Sequence, residues 1–232
     1  MRSIDILDRL IAFPTVSRDS NLELIAYEVV ESEFPANPNE CDAYLITGSK
    51  FGVYDDEPWI EPLKAFLCAC RDGGIPMVGV CFGHQIMAEA FGGRAEKSSK
   101  GWGCGVHTYE IERSMPWFDG LGDGFAMHAM HQDQVTELAP DAIRVASSEF
   151  CENAMIAYGD AEAPYAISIQ PHPEFTRPFA EALVNYRRSD LIPEPVADVA
   201  LASFGNRVDG EKFAACSLEY IRTVQQRNDQ TN

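Results

Sequence analysis

The stretch PMVGVCFGHQIMAEAFGG (76–93) carries a short apolar run into Cys81 and then passes at once into residues of helical period. Gly79 and Gly83 stand two residues before and two after the cysteine. A buried strand alone needs neither glycine. A G-x-C-x-G between strand and helix reads as a nucleophile elbow, with cysteine in the place of serine. On such a turn the side chain projects above the sheet edge, and the crowded neighbours must lack a Cβ. The helix that follows aims its free N–H groups at the sulfur, which favours thiolate over thiol. The amide of Phe82 is then placed to donate to an oxyanion.

An elbow needs a base. QPHPEF (170–175) supplies His172 and Glu174 directly after an apolar run, YAISIQ (165–170). In extended chain, residues i and i+2 point to the same side. A carboxylate beside an imidazole fixes its tautomer and supports the imidazolium formed when it takes a proton. The order nucleophile, histidine, then glutamate two residues on differs from that of an α/β-hydrolase, whose acid precedes its histidine.

Working outward, short apolar runs alternate with helix-period segments, the pattern of a mostly parallel sheet flanked by helices. AYLIT (43–47) and PMVGV (76–80) read as buried strands, WIEPLKAFLCACR (59–71) and GHQIMAEAF (83–91) as helices. From 101 to 158 the character changes. GVHTYEI, FAMHAMH, IRVASS and NAMIAY are β-like runs broken by turn residues, which predicts an antiparallel edge. The tail from Thr176 is helical in pattern, interrupted at IPEP (192–195) and NRVDG (206–210). The expected fold is therefore α/β and flavodoxin-like, a single domain over 1–232 with a helical tail at 188–232.

The 232 residues carry 18 basic and 36 acidic side chains, a net charge of −18. That balance argues against a nucleic-acid groove, which needs a basic footprint, and against anionic membrane surfaces. No stretch approaches the roughly 18 apolar residues of a membrane span. Seven cysteines without framework spacing point to a reducing compartment, hence a cytoplasmic protein. Cys68 and Cys70 form a C-x-C, with Cys104 and His107 as the remaining candidates, but such scattered ligands make a poor tetrahedral site and no metal is expected.

The chain resembles the class I, triad-type glutamine amidotransferases, and is most similar to the amidotransferase half of GMP synthetase and to γ-glutamyl peptidases. The resemblance lies in the stretches at 33–60, 78–93, 100–111, 131–140 and 170–175, in that order. It implies Cys81 as nucleophile, His172 as general base and then acid, and Glu174 as its orienter. It places Gly48 and Ser49 in an oxyanion loop alongside Phe82. Gln85, His131, Gln132 and Asp133 align with positions that hold the glutamine head group. The implied chemistry is hydrolysis of a glutamine or γ-glutamyl amide through a γ-glutamyl thioester, without cofactor. The partner is a small-molecule substrate, with a separate ammonia-accepting synthetase or a second copy of the chain left open. Two other readings stand beside it: a degenerate, non-catalytic member of the fold, and a DJ-1/PfpI-like redox or chaperone cysteine protein.

Three departures from the family pattern stand out. Only 32 residues precede Glu33, where the family has a first strand and helix, and ILDRLIAFPTVSRDSNLELIAY (6–27) looks more like the start of an acetylornithine-deacetylase-type metallopeptidase. LIAF (10–13) is the candidate replacement strand. Pro171 takes the place of a usual glycine, which bears on the approach of His172, and Lys50 that of a usual proline.

Overall fold

A computed structural model describes residues 22–231. In chain order the elements are β1 (Tyr44–Ile46), α1 (Ile60–Asp72), β2 (Met77–Val80), α2 (Phe82–Ala90), β3 (Arg94–Lys97), β4 (Gly103–Ile111) and β5 (Gly124–His131). There follow β6 (Asp133–Glu137), β7 (Ala142–Ser147), β8 (Met155–Asp160), β9 (Ala163–Ile169), α3 (Arg177–Arg187), α4 (Glu194–Ser203) and α5 (Gly210–Thr231).

Seven strands form one mixed sheet in the order β1-β2-β9-β8-β7-β4-β5. The run β1-β2-β9 is parallel, as the crossover through α1 requires. The other four junctions are antiparallel. The expected α/β architecture is thus present, with parallel strands where the elbow lies and an antiparallel portion four strands wide.

The strands of the heart alternate sides as period-2 geometry demands. Val78, Val80, Ile167 and Ile169 face a core shared with Phe213 and Tyr220 of α5. Met77, Ala166, Ile156 and Tyr158 face the opposite core, packed on Leu63 and Leu67 of α1 and Ile86 and Met87 of α2. Helix α1 buries Ile60, Leu63, Leu67 and Cys70, the helical stripe read from the sequence. A third apolar cluster joins α3 and α4 to Cys104 and Met130.

β3 and β6 pair antiparallel as a small second sheet, which the sequence did not announce. Arg-Ala-Glu-Lys has one apolar residue in four, and only pairing with a distant segment makes it a strand. LIAF (10–13) lies outside the described residues. Among those described, no helix is long and apolar enough to cross a membrane, and no group of three His, Cys, Asp or Glu could hold a metal ion. Cys68 donates to the Ala90 carbonyl at 3.2 Å and Cys104 to the Met130 sulfur at 3.8 Å. All seven cysteines are free thiols.

Candidate active site

Cys81 sits between β2 and α2 with φ +54° and ψ −102°, a backbone conformation that costs an L-residue of order 1–3 kcal/mol. The surroundings hold it there. Its N–H donates to the Ile169 carbonyl at 2.9 Å and its own carbonyl accepts from Gln85 N at 3.1 Å. A Cβ on Gly79 would stand 2.5 Å from the Met87 sulfur and 2.7 Å from the Gly83 carbonyl oxygen. One on Gly83 would stand 2.0 Å from the Ile46 carbonyl oxygen. Both glycines of the G-x-C-x-G are therefore required by close backbone approach. The second contact also seats the end of β1, and with it the Gly48–Ser49 turn, against the first turn of α2.

β9 lies next to β2, so the residues that leave its carboxyl end arrive beside Cys81. The His172 N–H donates to the His128 carbonyl at 2.7 Å, an isolated bridge to β5. Its Nδ1 lies 2.7 Å from Glu174 Oε1, and its ring stacks on Phe175 with centroids 4.0 Å apart and planes within 13°. Burial opposes a charge on this imidazole. The Glu174 carboxylate outweighs it, aided by the Cys81 sulfur, to which the ring is also hydrogen-bonded, so the His172 pKa is raised above its ordinary value. The protonated form of His172 is thereby favoured over the neutral imidazole. Pro171 does not disturb the arrangement: Gln170 N donates to Ala154 O at 2.8 Å and His172 N to His128 O, so the backbone is anchored on either side of the proline.

Gln85 is buried, and its amide nitrogen donates to the Asp133 carbonyl at 3.0 Å and to Gln170 Oε1 at 3.1 Å. Its NH₂ group is committed to the protein, which leaves its carbonyl oxygen for any ligand. His131 Nδ1 donates to the Asp133 carbonyl at 3.1 Å. The Gln132 carbonyl accepts from Ser98 N at 3.1 Å, and Asp133 Oδ2 accepts from Tyr54 OH at 2.9 Å. The HQD turn is thus tied to α2, to the loop after β3 and to the loop after β1. Lys50 lies over the Phe51 ring at 5.0 Å, and Phe51 packs edge-on against Trp59, which meets Phe82.

Four residues absent from the sequence-level site surround it. Tyr54 reaches Asp133 from the loop after β1. Gln170 receives Gln85. His84, fully buried on α2, pairs its Nδ1 with Ser168 Oγ at 2.8 Å; burial pushes its pKa down to about 3. His128 is buried on β5 with both ring nitrogens lacking a hydrogen-bond partner among the described residues, as is Glu174 Oε2. Burial lowers the His128 pKa to about 4, helped by the neighbouring His172. His131 is likewise lowered, to about 3, chiefly by burial. A single signal could have found His128: it alternates in register with the inward residues of FAMHAMH.

The chain belongs to the class-I glutamine amidotransferase family, whose profile matches residues 15–184. Gamma-glutamyl peptidase 3 of Arabidopsis thaliana is 31% identical over 160 residues, 65% of this chain and 62% of that protein. One subunit of a glutamine-hydrolysing GMP synthase from Methanopyrus kandleri is 33% identical over 122 residues, 50% of this chain and 62% of that protein. The crystal structure of a glutamine amidotransferase from Thermotoga maritima superposes with a TM-score of 0.71 at 22% identity, covering 90% of each chain, which fixes the fold.

Proposed function

We propose that this chain hydrolyses a γ-glutamyl amide with Cys81, His172 and Glu174 as its triad. The observation that carries the reading is a cysteine at φ +54°, hydrogen-bonded to a histidine that is itself paired with a buried carboxylate at 2.7 Å. Thiolate at Cys81 attacks the side-chain amide carbon. Amides of the Gly48–Ser49 turn and Phe82 receive the oxyanion, an effect worth a few kcal/mol per donor. The His172 imidazolium protonates the departing ammonia or amine as the C–N bond breaks, leaving a γ-glutamyl thioester. Water, deprotonated by the same imidazole, then releases glutamate and restores the thiol. Glu174 keeps Nδ1 protonated throughout, so Nε2 is the nitrogen that exchanges the proton.

The leaving group divides this reading. A γ-glutamyl peptidase resolves an amine-bearing peptide alone, whereas the relative from M. kandleri is named as part of a synthase, which would imply ammonia delivered to a partner. The residues after Glu174 form three helices packed on the same body. A non-catalytic reading draws on one observation, that among the described residues β1 is a terminal strand of the sheet although the proposed oxyanion turn hangs from it.

Labelling with a glutamine-mimicking chloroketone, followed by peptide mapping, tests the proposal. One adduct at Cys81, blocked by excess glutamine or γ-glutamyl dipeptide, is the expected result, and the better blocker names the substrate. Folded protein that takes up no label at Cys81 would overturn it.

A further inference from the structure

Among the described residues β5 ends the sheet on the side away from β1, and two segments that are not strands share its outer edge. The NRVDG interruption of the helical tail (206–210) returns there. Asp209 N donates to Ala126 O at 2.8 Å, and Asp209 Oδ2 accepts from Ala126 N at 3.1 Å. Two residues on, the His128 carbonyl accepts from His172 N at 2.7 Å. The tail and the proposed base therefore hold successive places on one strand edge, roughly 7 Å apart along it.

Gly210, the first residue of α5, closes on the same place. A Cβ there would stand 2.1 Å from the Pro173 carbonyl oxygen and 3.2 Å from the Pro173 Cα. Its φ is not positive, so glycine is required here by close approach and not by backbone conformation. Pro173 is the residue that joins His172 to Glu174. Ordinary packing of a helix on a sheet sets side chain against side chain, and rotamers can absorb a change. Main chain against main chain has no such slack and transmits a displacement. The clasp at Ala126 is itself braced: Asp209 Oδ1 meets Arg207 at 2.8 Å and Lys212 at 3.3 Å. Burial opposes the Asp209 charge, but the Ala126 N–H and these two cations outweigh it and lower its pKa, so the bond from Ala126 N is charge-assisted and stronger than a neutral one. Phe204, at the end of α4, lays its ring against that of His128 with centroids 5.4 Å apart.

We propose that Asp209 and Gly210 are positioning residues for the proposed base: they fix the His172–Pro173–Glu174 turn against β5 and so set its approach to Cys81. This role rests on the triad reading above and extends it to the tail. Neither residue reaches the reacting atoms; Asp209 acts through β5 and Gly210 through the Pro173 peptide.

Two measurements on Gly210→Ala in the full-length protein test it. The first is an NMR titration of the His172 ring, which is faced by Glu174, Cys81, His128 and His131. Its pKa is expected to fall toward the ordinary 6.5 as the turn shifts and Glu174 is displaced. The second is steady-state turnover of a γ-glutamyl dipeptide, where kcat should fall about a hundredfold, as for a ~1 Å misplacement, with KM nearly unchanged. Asp209→Ala should move both readouts the same way, and Asp209→Asn, which keeps an acceptor for Ala126 N, should restore most of the loss. Gly205→Ala is the control, since a Cβ there meets nothing within 4 Å, and it should change neither. A purely structural role would lower the thermal midpoint and leave the titration and kcat of the folded protein where they were, which overturns the proposal. So does full kcat with the titration moved. Should Gly210→Ala fail to fold, the Asp209 pair decides by the same two readouts. An unmutated protein without turnover sinks the enzymatic reading alone, because the His172 titration still reports whether the tail places that ring.

Discussion

Two neighbouring strands deliver the two sides of this candidate site, and they are built to different standards. β2 is buried along its whole length, bonded on both edges, and ends in an elbow where backbone contacts leave no room for a methyl group at Gly79 or Gly83. β1, which leads into the Gly48–Ser49 turn, is half-exposed and, among the described residues, terminal in the sheet. The proposed nucleophile and base, Cys81 and His172, thus lie at the ends of the buried, doubly bonded strands. The proposed oxyanion turn hangs from the less buried strand. Preorganised donors matter most in catalysis when they need no rearrangement at the moment of reaction, so on the proposed reading β1 is where activity would be tuned without touching Cys81, His172 or Glu174.

The sharpest break in that contrast comes from Cys81→Ala, which should abolish turnover of a γ-glutamyl substrate while the thermal transition stays within a few degrees. Retained turnover would reassign the nucleophile. Glu174→Gln should follow with a loss on the order of 10⁴ in kcat, as for the orienting carboxylate of a serine triad, read in steady-state kinetics with the melting temperature as control. Gly83→Ala sharpens the structural side. Its Cβ would meet the Ile46 carbonyl at 2.0 Å, so a destabilisation of roughly 3 kcal/mol or more is expected in denaturant unfolding. An unchanged midpoint would mean that the end of β1 yields easily, and the distinction between the two strands would weaken.

Acid should act on both regions through the histidines behind them. His84, His128 and His131 have pKa values depressed to about 3, 4 and 3. Between those values and 6.5, the unfolded chain binds protons that the folded one refuses, so stability falls as pH drops below 6.5. His172 has the opposite sign: its raised value adds stability that is lost as pH rises through the folded pKa. Urea midpoints from pH 4 to pH 8 should therefore rise with pH across the acid part of the range, and a flat profile would show these imidazoles to be solvated. The smallest effect is expected from Tyr54→Phe. Loss of one exposed hydrogen bond to Asp133 costs about 1 kcal/mol, which should raise KM several-fold and leave kcat nearly unchanged.

The parts of this molecule that could be read from sequence are those whose physics is local. The strand-to-helix bend is announced by two glycines around a cysteine, the His172–Glu174 pair by a histidine and glutamate at strand spacing, and α1 by its apolar stripe. What escaped depends on contacts between distant residues. Tyr54 meets Asp133 across 79 positions and His84 meets Ser168 across 84. Nothing near Tyr54 distinguishes it from any loop tyrosine. The β3–β6 sheet escaped for the same reason, since RAEK is a strand only because residues 133–137 lie beside it. Gln85 reads in sequence as a ligand for substrate, yet its NH₂ group serves the protein, a division of labour no pattern of residue types can express.

The hydrogen bond from Cys81 N to Ile169 O has a consequence for how the protein fails. It joins Cys81 to the strand that leads to His172, so the two cannot separate without parting β2 from β9. Fraying at the surface will leave their spacing intact, and loss of labelling at Cys81 on heating should coincide with cooperative unfolding of the whole chain rather than precede it. The lifetime of the active form is then set by the rate at which the core opens, which makes kinetic stability, and not loop mobility, the quantity that limits how long this site endures.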